Sequence, residues 1–213
     1  MQLNKPLATV TPTLDGSVLH VLAAADSFFT ISQIQRILST ASSEGIRKVL
    51  NRLSAQGIVL HDRVGHTHTY QLNTDHLAAE PILALSRLHA TFCARLEQAL
   101  AAWSQDLRYA AVFGSAATGG MRRDSDIDLI LVRADSATIL DDVWNQSVTD
   151  LARTVTAWTG NDCHIVEYAE AEITAAAATG EPLLREIASH GLTVAGQRDW
   201  LVARLRPAQD TRP

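Results

Sequence analysis

Several things are scarce in this chain, and each scarcity excludes something. There are two cysteines, Cys93 and Cys163, far apart in sequence. They form no disulfide framework on paper, so a reduced, cytoplasmic setting is the default. No Cys/His cluster has the spacing of a zinc site. No apolar run approaches the ~20 residues that a bilayer span needs, and no membrane partner is expected. The opening MQLNKPLATV lacks the basic start and apolar stretch of a signal peptide. There is no internal repeat, and no low-complexity tract beyond the alanine run that ends at Ala178. What is present is a globular composition: 213 residues, 46% of them hydrophobic. That suits one large or two small domains with a real core.

The net charge of -5 conceals an asymmetry. Arg36, Arg47, Lys48, Arg52 and Arg63 face only Glu44 and Asp62 between residues 31 and 72, with His61, His66 and His68 close by. The acidic excess lies downstream. A basic module on an acidic chain suggests one part that meets a polyanion and one that does not.

The basic stretch has a clear order of elements. Residues 14–25 read as a short apolar helix. Thr30-Ile31-Ser32-Gln33 is a capping box that starts a second helix with Ile34, Ile37 and Leu38 inward. In a third, Ile46, Val49, Leu50 and Leu53 fall at i, i+3, i+4 and i+7, which is one face. Arg47, Lys48, Asn51 and Arg52 take the other, and Gly57 closes the helix. IVLHDRV and HTHTYQL then flank Gly65 as a hairpin. Three helices followed by a hairpin resemble the small bacterial repressor-type winged helix-turn-helix domains, over residues 13–73. A helix with an apolar back and a basic front can enter the major groove of double-stranded DNA, Arg and Asn reaching base edges and Lys reaching phosphate. Arg63 and His66 would offer the wing to the backbone or minor groove. Winged helices also bind proteins, and that alternative stays open.

Residues 74–104 read as a linker, with Pro81 suiting a first helical turn and one long helix over 82–103. Its stripe of Leu85, Leu88, Phe92, Leu96 and Trp103 fits a homodimer seam or packing within the chain equally well. Beyond it the pattern changes. YAAVFG, DIDLILV, DCHIVEY and LTVAG read as strands. Between them lie a helix over 136–159, with Ile139, Val143, Val148, Leu151, Val155 and Trp158 inward, and a helical pair at 169–178 and 182–189. A basic segment follows around Trp200 to Arg206. Alternating strands and helices indicate a small α/β domain.

One stretch carries chemistry. Gly114 and Ser115 end a strand, ten residues intervene, and Asp126-Ile127-Asp128 opens the next. Residues i and i+2 of a strand share a face, so Asp126 and Asp128 present two carboxylates together. Such a pair repels itself unless a cation sits there, and Mg²⁺ (or Mn²⁺) takes carboxylate and phosphate oxygens. Ser115 and the amides after it open a helix, a ready phosphate cradle. Small residues at Ala116, Ala117, Gly119 and Gly120 allow close approach. Arg122 and Arg123 lie in the same loop.

This GS-x10-DxD resembles the nucleotidyltransferase superfamily related to DNA polymerase beta, in particular its minimal, antitoxin-type bacterial members, over residues 105–195. The resemblance implies a small α/β domain with a mixed sheet, residues 196–213 forming a C-terminal helix or tail, and an α+β chain as a whole. It implies that Gly114 and Ser115 hold the phosphates of ATP or another nucleoside triphosphate and that Asp126 and Asp128 hold the metal. It also implies a hydroxyl acceptor on a partner protein such as a toxin, on a small molecule or on a nucleic-acid end. The family usually adds a third carboxylate on a neighbouring strand. Here the matching run is Cys163-His164-Ile165-Val166, so His164 stands in that place. Three substitutes are available: Asp162 at the strand's mouth, Glu167 on the opposite face by parity, or His164 itself as proton acceptor. Two readings follow. In one the chain transfers a nucleotidyl group. In the other it regulates transcription, and its nucleotidyltransferase-like domain senses a ligand without turnover.

Overall fold

The computed structural model describes residues 1–103, 106–135 and 142–205. The chain divides into two compact units, Gln2–His89 and the segment from Ala90 onward, with Met1 grouped with the second.

In the first unit α1 (Leu14–Ala23), α2 (Ile31–Leu38) and α3 (Ser43–Ala55) precede β1 (Val59–Val64), β2 (Thr67–Leu72) and α4 (Ala79–Ser86). The start of α2 is the predicted capping box. Thr30 Oγ1 accepts the Gln33 amide at 3.2 Å, and the Thr30 amide donates to the Gln33 side chain at 2.7 Å. Ser42 caps α3 by accepting the Gly45 amide at 3.1 Å. These bonds satisfy amides that a helix start leaves without partners. Ile46, Val49, Leu50 and Leu53 are buried, against Val18, Leu22 and Ile34. Ile37, expected inside, is 58% exposed, because α2 turns only Ile34 fully inward. The hairpin pairs antiparallel from Val59↔Leu72 to Val64↔Thr67, and Gly65 makes the turn at φ +62°.

The single long helix expected over 82–103 is corrected. Arg87 leaves helical geometry at φ -97°, ψ 8°, so α4 ends there and α5 (Leu88–Leu100) begins anew. A 3-10 turn over Ala101–Trp103 follows.

The second unit comprises β3 (Leu107–Phe113), α6 (Gly114–Thr118), β4 (Ile127–Arg133), α7 (Asp142–Thr159), β5 (Cys163–Ala169), α8 (Glu170–Thr179), α9 (Pro182–His190), β6 (Leu192–Ala195) and α10 (Arg198–Leu205). The strands lie in the order β5-β4-β3-β6. β4 and β5 are parallel and the other pairs antiparallel, so the sheet is mixed. One face packs Tyr109, Ala111, Ile130 and Val132 against Ile173, Leu184, Ile187 and Leu201 of the C-terminal helices. In α7 Leu151 and Val155 point inward as expected, and one position differs. Val143 is 72% exposed, while Trp144, Leu151 and Val155 are buried. Ile139 and Arg206 lie outside the described residues. No described helix is long and apolar enough to cross a membrane.

Candidate functional site

β3 and β4 are adjacent and antiparallel, with Phe113 opposite Asp128. The turn after β3 therefore arrives beside the mouth of β4. Gly114 makes that turn at φ +64°, a left-handed conformation that glycine adopts without strain. A Cβ at Gly114 would lie 2.5 Å from Asp128 Oδ2, so a larger residue would displace this carboxylate. Ser115 follows in the first turn of α6, a helix of five residues that ends at Gly119 with φ +76°. Thr118 Oγ1 donates to the Gly114 carbonyl at 3.0 Å and ties the short helix to its own start.

On the other side, β5 runs parallel to β4, with His164 opposite Asp128. The His164 Nδ1 is 3.6 Å from Asp126 Oδ2. Sequence reasoning placed His164 where a third carboxylate belongs, and its imidazole indeed stands beside the pair. Glu167 does not. Glu167 accepts the Trp144 Nε1–H at 2.5 Å, on the α7 side of the sheet, as strand parity demands. The side chain of Asp162 is exposed, and its carbonyl accepts the Ile127 amide at 2.8 Å.

Two residues escaped the sequence reading. Asn161, 5% exposed, donates from Nδ2 to the Ser125 carbonyl at 2.8 Å and so pins the loop just before Asp126. Glu186 on α9 adds its negative charge to the surroundings of Asp128. Neither carries a local signal, because each reaches the site through the packing of distant elements.

The electrostatics follow. Burial raises the Asp128 carboxyl above the ordinary carboxylate range, the neighbouring charges of Asp126 and Glu186 raise it further, and His164 opposes them. Burial and the charge of Asp128 push the Cys163 thiol up to about 12. That thiol stays protonated and is no nucleophile.

Among the described residues no group of three or more His, Cys, Asp or Glu side chains could hold a metal ion by itself. A two-carboxylate pair in a field of negative charge nonetheless suits Mg²⁺, which completes its shell with water and phosphate oxygens. A dication would relieve the repulsion that raises Asp128.

The other predicted residues lie in the first unit. Lys48 and Asn51 are exposed on α3. Arg47 pairs with Glu44 at 3.1 Å, and Arg52 pairs with Asp15 of α1. On the hairpin, Arg63 Nε donates to the Gly65 carbonyl at 2.9 Å, and His66 is exposed at the turn.

Residues 94–172 match the model of the nucleotidyltransferase domain family. The matched span takes in Gly114, Ser115, Asp126, Asp128 and His164, and ends before α9. Comparison with curated proteins finds no match. Among solved structures, a mutant of the toxin–antitoxin MntA–HpeT is 18% identical with a TM-score of 0.38, over 53% of this chain and 80% of that one. A toxin–antitoxin solved with AMP-PNP is 20% identical with a TM-score of 0.38, over the same shares of the two chains.

Proposed function

We propose that the second unit binds a nucleoside triphosphate, ATP foremost, and transfers its nucleotidyl group to a hydroxyl of a protein or small molecule. The observation that carries this reading is the contact of Gly114 with Asp128, which sets a glycine turn against a carboxylate pair on adjacent strands. Asp126 and Asp128 would hold Mg²⁺ or Mn²⁺. When bound, that ion would supply charge neutralisation at the phosphates. The Gly114–Ser115 turn has no side chain in the way and leaves its backbone amides to the phosphate oxygens. The acceptor oxygen attacks the α-phosphorus, the bond from that phosphorus to the bridging oxygen of the β-phosphate breaks, and pyrophosphate leaves. His164 is solvent-exposed and beside Asp126, where it can take the proton of the attacking hydroxyl. Asn161 positions the loop that carries Asp126.

The test is transfer from α-labelled ATP with Mg²⁺, using the chain itself and candidate hydroxyl acceptors. Label transfer by the wild type and its loss in Asp126→Ala/Asp128→Ala supports the reading. Wild-type transfer equal to that of the double variant would sink it.

A second reading concerns the first unit. The exposed Lys48 and Asn51 lie opposite the buried face of α3 and beside a hairpin that carries Arg63 and His66. That surface fits a winged helix on double-stranded DNA, with a homodimer reading paired half-sites. On this reading the chain is a regulator, and the second unit senses nucleotide. Binding to the DNA upstream of its own gene, falling steeply with salt, is the expected result. Affinity that ignores salt would exclude phosphate contacts.

A further inference from the structure

Away from the carboxylate pair, two other side chains converge. The hairpin register sets His61 opposite Tyr70 and Arg63 opposite His68. Residues two apart share a face, so His61, Arg63, His68 and Tyr70 project from one side of the hairpin. The two imidazoles meet diagonally across the strands. His61 Nε2 and His68 Nδ1 are 2.7 Å apart, with ring centroids at 4.9 Å and planes 31° apart. Tyr70 stacks on the His61 ring, at 4.9 Å between centroids and 9° between planes. Tyr70 is itself fixed: it is 3% exposed, and its backbone exchanges hydrogen bonds of 2.8 and 2.7 Å with Phe29.

We propose that His61 and His68 form a binding site for a late first-row divalent ion, with Zn²⁺ as its probe. The two nitrogens face each other in a hydrogen bond, and an ion that displaces the shared proton would take the lone pair of each ring, as a two-imidazole chelate requires. Zn–N bonds of about 2.0–2.1 Å at a tetrahedral angle place the two nitrogens roughly 3.3–3.4 Å apart. The rings need to part by only about 0.6 Å from the observed contact, and both are exposed, so small side-chain rotations achieve it. The remaining coordination positions open to solvent and would take water. Imidazole selects zinc, copper and nickel, whereas Mg²⁺ keeps to oxygen. The hairpin therefore offers a different ion from the one that suits Asp126 and Asp128, and the inference does not depend on the nucleotide reading. A dication here would add two positive charges to the face that carries Arg63, and so couple the hairpin's charge to metal supply.

The experiment is calorimetric titration of the full chain with Zn²⁺ in an Asp126→Ala/Asp128→Ala background, which removes the carboxylate pair as a competitor. One ion per chain is expected. His61→Ala and His68→Ala should each lower the affinity at least tenfold, while His190→Ala, at the end of α9, should leave it within threefold. Equal affinity in all three variants, or no binding heat in the background protein, overturns the site. An alanine can also loosen the hairpin, so wild-type imidazole resonances give a second reading. Zn²⁺ must shift those of His61 and His68, and unchanged shifts overturn the proposal.

Discussion

Gly114 lies against the Asp128 carboxylate: a Cβ on Gly114 would stand 2.5 Å from the Asp128 Oδ2 and displace it. The turn adds a second demand, because its φ of +64° disfavours any residue with a Cβ. Gly114→Ala should therefore cost about 1–2 kcal/mol of backbone strain and also push Asp128 from its place. The expected outcome is a modest fall in melting temperature with at least a tenfold loss of Mg-nucleotide affinity. Gly65→Ala, in the hairpin turn of the first unit, has a comparable φ of +62° but nothing within 4 Å of its Cβ. It should show the strain without the binding loss. Equal binding losses in the two variants would mean that the contact with Asp128 is irrelevant.

The raised Asp128 carboxyl predicts a trade between stability and binding. Its folded state holds a proton more tightly than the unfolded chain does. Stability therefore falls as pH rises from the ordinary carboxylate value through the raised one, and the full cost is present above it. Asp128→Asn removes that cost. Calorimetry should show the variant melting roughly 1–2 °C above the wild type at pH 7, a surface-scale effect. The difference should vanish below about pH 4, where carboxyls are protonated. Nucleotide binding should be lost at the same time. A variant less stable than wild type at pH 7 contradicts the sign.

What the sequence made legible was local in origin. The alternation of a strand put Asp126 and Asp128 on one face, and the family resemblance, not a local pattern, put His164 beside them. The helical period identified Ile46, Val49, Leu50 and Leu53 as one buried face, and the Thr30–Gln33 box located the start of α2. What it left hidden depends on contacts between distant segments. Arg52 is neutralised by Asp15 of another helix. Glu186 comes near Asp128 only because α9 packs against β3 and α6. The departure in α7 is confined to its first turn. Val143 and Trp144 are adjacent apolar residues, and only packing decides that the larger one goes inside. The break at Arg87 has no proline or glycine to announce it.

Asn161 offers a test of positioning. It is 5% exposed, and its amide donates to the Ser125 carbonyl at 2.8 Å. Asn161→Ala leaves the partly buried Ser125 carbonyl without that donor, a loss of about 1 kcal/mol. Denaturant unfolding should report that loss. Mg-nucleotide affinity should fall further than Thr159→Ala makes it fall. Thr159 Oγ1 caps the same turn, donating to the Val155 carbonyl at 2.8 Å and accepting the Asn161 amide at 3.2 Å, so it holds the backbone of Asn161 but bonds nothing in the loop before Asp126. Equal losses in both variants would reduce Asn161 to a purely structural part.

The α3 surface predicts an order among its cations. Arg52 is held by Asp15, whereas Lys48 is exposed and makes no ion pair among the described residues. A cation already paired within the fold gains less from a phosphate, because it must first give up its partner. Lys48→Ala should weaken DNA binding several-fold and lower the salt slope by about one. Arg52→Ala should act mainly through stability. Fluorescence anisotropy across a salt series, beside melting curves, separates the two. A larger slope change for Arg52→Ala would place that residue, not Lys48, on the phosphates.

His164 is the point at which chemistry and stability can be set against each other. Its Nδ1 stands 3.6 Å from Asp126 Oδ2. His164→Asp would put a third carboxylate there. At about 4 Å and an effective dielectric of 20, a unit charge contributes up to about 4 kcal/mol. Solvent screening at this exposed position cuts that sharply, so roughly a tenfold gain in Mn²⁺ affinity is expected, about 1.4 kcal/mol. Without metal the same substitution adds like charge beside Asp126 and should lower the melting temperature. With saturating Mn²⁺ and nucleotide it should raise it above wild type. Opposite shifts under the two conditions would locate the ion between these strands. A variant destabilised under both would show that the carboxylates do not share a cation, and His164 would then be left with proton transfer as its role.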